Sequence, residues 1–183
     1  MKNFLPILIL MLSYGSTNAQ SANKLKKELL NSINQKSDEL ITISDNIWQA
    51  AEVAFREEKS AEYLMAYARQ NGFDVDSDLA GMPTAFTATY GEGSPVIGII
   101  GEFDALPGLS QTTVPYKNEL IDGGAGHGCG HNLFGTASLG VAVAIKELIE
   151  KGSLKGTVKY FGTPAEEKFF GKLWMIREGV FDN

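Results

Sequence analysis

Val96-Ile97-Gly98-Ile99-Ile100-Gly101, the apolar stretch from Leu133 to Lys151, and Gly156-Thr157-Val158-Lys159-Tyr160-Phe161-Gly162 follow one another along the chain as three apolar segments of different period. The first piece is a short run of mostly β-branched residues behind Pro95, which reads as a buried strand. The second is long, apolar and rich in helix formers, and it stops at Gly152, where a left-handed helix end is wanted. The third is again a short run of strand formers between glycines. Strand, long helix and strand in this order predict a βαβ crossover, and with it an α/β fold built on a mixed sheet with flanking helices.

Just before the first strand, Thr84-Ala85-Phe86-Thr87-Ala88-Thr89-Tyr90 is rich in β-formers and runs into the turn Gly91-Glu92-Gly93-Ser94-Pro95. That pattern predicts a hairpin whose buried second strand is the run from Val96. Upstream, Leu25, Leu29, Ile33, Leu40 and Ile47 recur near helical spacing and predict one or two helices over 22–50. A further helix is expected from Ser60, a natural N-cap, to Asn71, with Gly72 after it. Residues 102–130, with Pro107, Pro115 and many glycines, read as loop, and a last helix is expected near Phe170.

Of 183 residues, 44% are hydrophobic and 21% charged, enough for a packed core. The net charge of −6 disfavours a nucleic-acid or anionic-membrane surface, since both demand clustered Lys and Arg. The first residues read as an export signal: Lys2, the apolar run Phe4 to Leu12, then small and polar residues ending at Ala19. The apolar run is too short to span a bilayer, which takes roughly 20 residues. The expected organisation is therefore a signal peptide at 1–19 and one domain at 20–183, exported and without a membrane anchor after cleavage. In an oxidising compartment the single cysteine, Cys129, would be a free thiol: buried and inert, paired between chains, or held by a metal.

Functional groups in α/β sheets collect at the carboxyl ends of strands. Asp104 follows the first strand, Glu166-Glu167 follow the last, and Cys129 and His131 stand at the start of the crossover helix, so all are expected at one sheet edge. In Gly126-His127-Gly128-Cys129-Gly130-His131-Asn132, thiolate and imidazole are good ligands for zinc and related metals, and the glycines let the backbone turn. A bland alternative is a Gly-rich connection with a helix-capping His or Asn. No dinucleotide or P-loop glycine pattern is present, which disfavours nucleotide binding. Adjacent carboxylates such as Glu166-Glu167 can divide labour, one ligating a metal and one moving a proton, or can simply sit at a helix start. Asp104 can accept an imidazole N–H or bond its own turn before Pro107. A different class of enzyme would use Cys129 as a nucleophile with His127 or His131 as base.

Taken together these segments resemble the metal-dependent amidohydrolases of the aminoacylase-type metallopeptidase superfamily, on the side of the aminobenzoyl-glutamate hydrolases. The resemblance starts near residue 24 and runs to the end of the chain. It is carried by Gly81-Met82-Pro83-Thr84-Ala85, Gly101-Glu102-Phe103-Asp104-Ala105-Leu106-Pro107-Gly108, Gly128-Cys129-Gly130-His131-Asn132 and Pro164-Ala165-Glu166-Glu167. It implies a zinc-peptidase-like catalytic domain that hydrolyses an amide bond in an N-acyl or aminobenzoyl amino acid. Cys129, His131 and Glu167 would be metal ligands, Glu166 the general base and Asp104 a supporting acid. The superfamily's commoner His-x-Asp stands here as Glu102-Phe103-Asp104, so ligation does not carry over to Glu102. Asn132 stands where the indole-acetyl branch has aspartate. The resemblance further implies zinc or manganese, two ions in the complete enzyme, a small-molecule amide substrate, and a homodimer or companion subunit. The chain holds only two histidines, His127 and His131. The family needs more ligands downstream, so an N-terminal portion is expected, incomplete at the C-terminus and either inactive alone or completed by another polypeptide.

Overall fold

The computed structural model describes residues 22–182, and the expected signal segment at 1–19 lies outside them. The N-terminal helical region divides in two. Helical residues 22–35 (α1) end at a turn on Lys36, and α2 (Ser37–Ala50) follows. The Lys36 ammonium at this break pairs with Glu147, tying the junction to the crossover helix. Next comes α3 (Glu58–Gln70), which starts two residues before Ser60. Ser60 is not its cap. Instead the Glu52 carboxylate accepts the N–H groups of Lys59 (3.1 Å) and Ser60 (2.8 Å) and the Ser60 hydroxyl (2.8 Å). A carboxylate from outside the helix thus satisfies the orphan donors of its first turn.

Four strands pair in the order β1-β2-β4-β3: β1 (Asp74–Ser77), β2 (Phe86–Glu92), β3 (Val96–Gly101) and β4 (Gly156–Gly162). β2 runs antiparallel to both β1 and β4, while β3 and β4 are parallel neighbours joined through α4 (His131–Glu150). The crossover is as the sequence predicts, with α4 beginning two residues earlier. The hairpin is not: β2 and β3 are consecutive but do not pair, because β4 lies between them. The entry of β4 passes against the 91–95 turn, where Thr157 N–H bonds Pro95 O (2.9 Å) and the Thr157 hydroxyl bonds Gly93 O (2.9 Å). Gly156 permits this crossing, with φ at +113° and a position where any Cβ would stand 2.3 Å from Pro95 O. Nor is β3 a buried strand. It forms an edge of the sheet among the described residues, with Val96 and Ile97 50% and 49% exposed.

Alternation along the strands sets the two faces. Phe86 and Ala88 of β2 and Val158 and Tyr160 of β4 point to the helical side, where they pack with Leu64, Leu139, Val143 and Ile47. Phe161, one step out of phase with Tyr160, joins Met82, Ala85 and Met175 in a smaller cluster on the other face. There α6 (Gly171–Arg177) meets a single 3-10 turn at Leu79–Gly81. α6 is the last helix expected near Phe170, and between it and β4 lies an additional one-turn helix, α5 (Glu166–Phe169).

α4 approaches the end of β3 closely. A Cβ on Gly135 would stand 2.5 Å from Glu102 O, and Gly135 O accepts the hydroxyl of fully buried Tyr160 (3.1 Å). We predict that Gly135→Ala forces α4 off the sheet and costs about 1–3 kcal/mol, as over-packed cores do. Thermal unfolding reads the shift, and an unchanged midpoint would contradict this packing.

Candidate metal centre

The carboxyl ends of the two parallel strands are tied together: Thr163 N–H and the Thr163 hydroxyl both bond Gly101 O (2.9 and 3.1 Å). β3 ends at Gly101, and two residues on Phe103 is buried in the core, while Glu102 and Asp104 both reach His131. Glu102 and Asp104, on either side of it, therefore share the opposite face. A bridge between Leu106 and Gly126 brings the glycine-rich loop alongside. Gly130, left-handed at φ +74°, ends that loop as the cap of α4, so His131 is the first helical residue. Ala165 is also left-handed, at φ +58°, and turns the chain out of β4 so that Glu166 and Glu167 open α5.

These turns bring the residues singled out in the sequence into one cluster. Donor atoms of Cys129, His131 and Glu167 lie within 4.8 Å of one another, and so do those of Glu102, His131 and Glu166. Both sets share His131, so they are two sides of one acidic pocket. His131 Nδ1 lies 3.1 Å from Asp104 Oδ1 and 3.1 Å from the Asp104 carbonyl, while Nε2 faces Glu102 Oε2 at 3.0 Å. The second Asp104 oxygen accepts the Glu167 N–H at 3.0 Å. Cys129 is exposed rather than buried. His127 stays outside the cluster and donates from Nε2 to Ile47 O (3.1 Å). Asn132 also turns away, its amide bonding the Ser44 hydroxyl of α2 at 3.0 Å.

Glu102 is the residue that motif reading set aside, although it lies against His131 and also pairs with Lys172. Its signal was the period of two: an extended Glu-Phe-Asp with a core phenylalanine must put both acids on one side. Lys172, 70 residues away on α6, carried no comparable signal.

The electrostatics follow from burial and neighbours. Burial works to raise the Asp104 pKa, but hydrogen bonds from His131 and the Glu167 N–H outweigh it and hold this carboxyl below the usual range. Burial likewise works against charge on His131, yet the bond to Asp104 and the charges of Asp104, Glu102 and Glu167 outweigh it and raise its pKa. A hydrogen bond to Glu167, with the charges of Glu167, Glu166 and Asp104, pushes the Cys129 thiol up. A thiol so placed is a poor nucleophile unless a cation offsets the carboxylates, which argues against the cysteine-nucleophile reading.

The donor set fits a divalent metal. Thiolate sulfur, imidazole nitrogen and carboxylate oxygen are the ligands zinc takes. Glu167 Oε1 is buried with no hydrogen-bond partner among the described residues, as an oxygen kept for a cation would be.

Comparison with known proteins agrees. The sequence profile of peptidase family M20/M25/M40 matches residues 98–183. The chain is 45% identical over 142 residues to one of the subunits of p-aminobenzoyl-glutamate hydrolase from Escherichia coli, an alignment covering 77% of this chain and 30% of that protein. The chain belongs to the M20 peptidase family. Over 186 residues it is also 28% identical to mouse Xaa-Arg dipeptidase, covering 92% of this chain and 38% of the relative. A Bacillus subtilis M20 peptidase described as dinuclear and metal-binding superposes with a TM-score of 0.68 at 27% identity, over 79% of this chain and 40% of that one. The M20 chain thus spans about a third of the length of the curated relatives it matches.

The sign of the His131 shift yields a test. A histidine pKa raised on folding stabilises the metal-free fold below its unfolded value near 6.5, and that contribution is lost as pH rises through the raised folded value. We predict that Asp104→Asn lowers the His131 pKa, seen in the imidazole resonances by NMR. The same change shrinks this pH-dependent part of stability and costs about 1–3 kcal/mol, because two buried N–H groups lose a charged acceptor. A His131 titration identical in both proteins would contradict the contact.

Proposed function

We propose that this M20 chain carries the metal-binding part of an amidohydrolase that cleaves an amide bond in an N-acyl or aminobenzoyl amino acid. The observation that carries the reading is the meeting of Cys129, His131 and Glu167 within 4.8 Å, with a second carboxylate, Glu166, beside them. Similarity to the aminobenzoyl-glutamate hydrolase supports the substrate class. That this relative is named as one subunit of its enzyme supports a companion chain. We propose zinc or manganese as the metal, the thiolate favouring zinc. The dinuclear character of the Bacillus relative supports two ions in the complete enzyme. We further propose export, on the strength of Lys2, the apolar run to Leu12 and the small-residue exit at Ala19.

The divalent ion would supply Lewis-acid polarisation of the scissile carbonyl and make an attacking water more acidic. The residues divide the remaining work by exposure. The Glu167 side chain is 11% exposed and its backbone is fixed by Asp104, which suits a ligand. Glu166 is 37% exposed and stands 3.9 Å from His131 Nε2 at the mouth of the cluster. From there it can take a proton from the attacking water and hand one to the leaving amine. Asp104 holds the imidazole through Nδ1, which leaves Nε2 as the ligating atom.

We predict that Glu166→Gln keeps metal but lowers amide hydrolysis by about 10²–10⁴-fold, whereas Glu167→Ala loses metal. Metal content by atomic spectroscopy and hydrolysis of an N-acyl amino acid check both. Equal metal content and equal activity in the two variants would overturn the assignment.

A further inference from the structure

Glu57 is a buried acid that the chemistry above does not use. It is 0% exposed, stands at the N-cap of α3, and among the described residues has no cation as a hydrogen-bond partner. One oxygen accepts the Ala165 N–H at 2.8 Å and the other the Thr84 hydroxyl at 3.3 Å. Burying a carboxylate without a cation is costly, and an apolar residue of the same volume would serve packing better. A carboxylate at this position therefore points to a task at the far end of its hydrogen bond.

That far end is the turn that aims the site. Ala165 is buried and left-handed, at φ +58° and ψ +37°, a conformation costing a non-glycine residue about 1–2 kcal/mol. Its N–H is held by Glu57, and two residues later the Glu167 N–H is held by Asp104. Two buried carboxylates, from segments about fifty residues apart in sequence, thus grip alternate amides of one short turn. Between and beside those amides stand the side chains of Glu166 and Glu167. The Ala165 carbonyl accepts the Phe169 N–H at 3.2 Å, so the same residue also starts α5.

We propose that Glu57 is a positioning residue: by holding the Ala165 amide it keeps the left-handed turn that presents Glu167, and with it Glu166, to the metal centre. The proposal rests on the metal reading above, and its test separates the two. Glu57→Met fills the same space without an acceptor, and Glu57→Gln keeps one. Cobalt(II) alone is titrated into the full chain and each variant, with folding checked by circular dichroism. In the wild type a Cys129 thiolate-to-cobalt absorption band is expected; its absence would sink the metal reading itself. Given that band, Glu57→Met should bind cobalt about 10–100-fold more weakly, the range for lost outer partners of ligands. It should also show a changed d–d envelope at saturation as Glu167 withdraws, and Glu57→Gln should restore the wild-type envelope. Wild-type affinity and envelope in a folded Glu57→Met would overturn the proposal. Should that variant not fold, amide hydrogen exchange on the wild type decides: Ala165 is expected to be protected, and exchange at the rate of an open surface amide would overturn it.

Discussion

The site depends on one buried carboxylate. Asp104 gives one oxygen to the imidazole at the start of α4 and the other to the amide at the start of α5, joining the exit of β3 to segments 27 and 63 residues further along. Two of these segments, the loop leading into α4 and the turn that opens α5, have little regular structure of their own. The loop before α4 is largely irregular, and α5 is a single turn between two left-handed residues. What orders them is a charged acceptor in a place from which water is excluded. A hydrogen bond to an ionised group there is stronger than one to a neutral group, and losing it exposes two donors to desolvation. Most of the cluster's geometry is downstream of that residue.

The βαβ unit was legible because its signals are periodic and long: a β-branched run, an apolar helix and a second strand whose limits, Gly156 and Gly162, match the structure. The convergence of Asp104, Cys129, His131 and Glu166-Glu167 followed from topology alone, since strand ends of a parallel pair share an edge. The failures were of another kind. The turn at 91–95 exists, but a turn signal does not say which strand becomes the partner, and β4 arrives from more than fifty residues away. β1 escaped notice because Asp74-Val75-Asp76-Ser77 offers one apolar residue and two acids, suited to a sheet edge and silent as a strand pattern. Glu52 and Glu57 were hidden for a related reason. Glu52 stands alone among Ala50, Ala51, Val53 and Ala54, and Glu57 lies in the polar run Arg56-Glu57-Glu58-Lys59; neither setting marks its acid, and only the fold reveals that one caps a helix and the other is fully buried.

Charge balance gives the cluster its chemical direction. Glu102, Asp104, Glu166 and Glu167 all press on one imidazole, and among the described residues the cation that answers them directly is Lys172, paired with Glu102. Such a concentration of negative charge favours the entry of something positive. Without metal, the entrant is a proton: His131 is pushed toward its charged form, and both ring nitrogens then have acidic partners. The same field pushes Cys129 the opposite way, toward the neutral thiol. A divalent cation held by these two residues would reverse both preferences together, since ligation requires a neutral imidazole and a thiolate. In the proposed site the proton on His131 Nε2 and the proton on Cys129 Sγ would therefore be the two that a metal displaces. The carboxylates that favour those protons would also favour a cation in their place, so on the proposed reading the cluster would exchange one positive occupant for another.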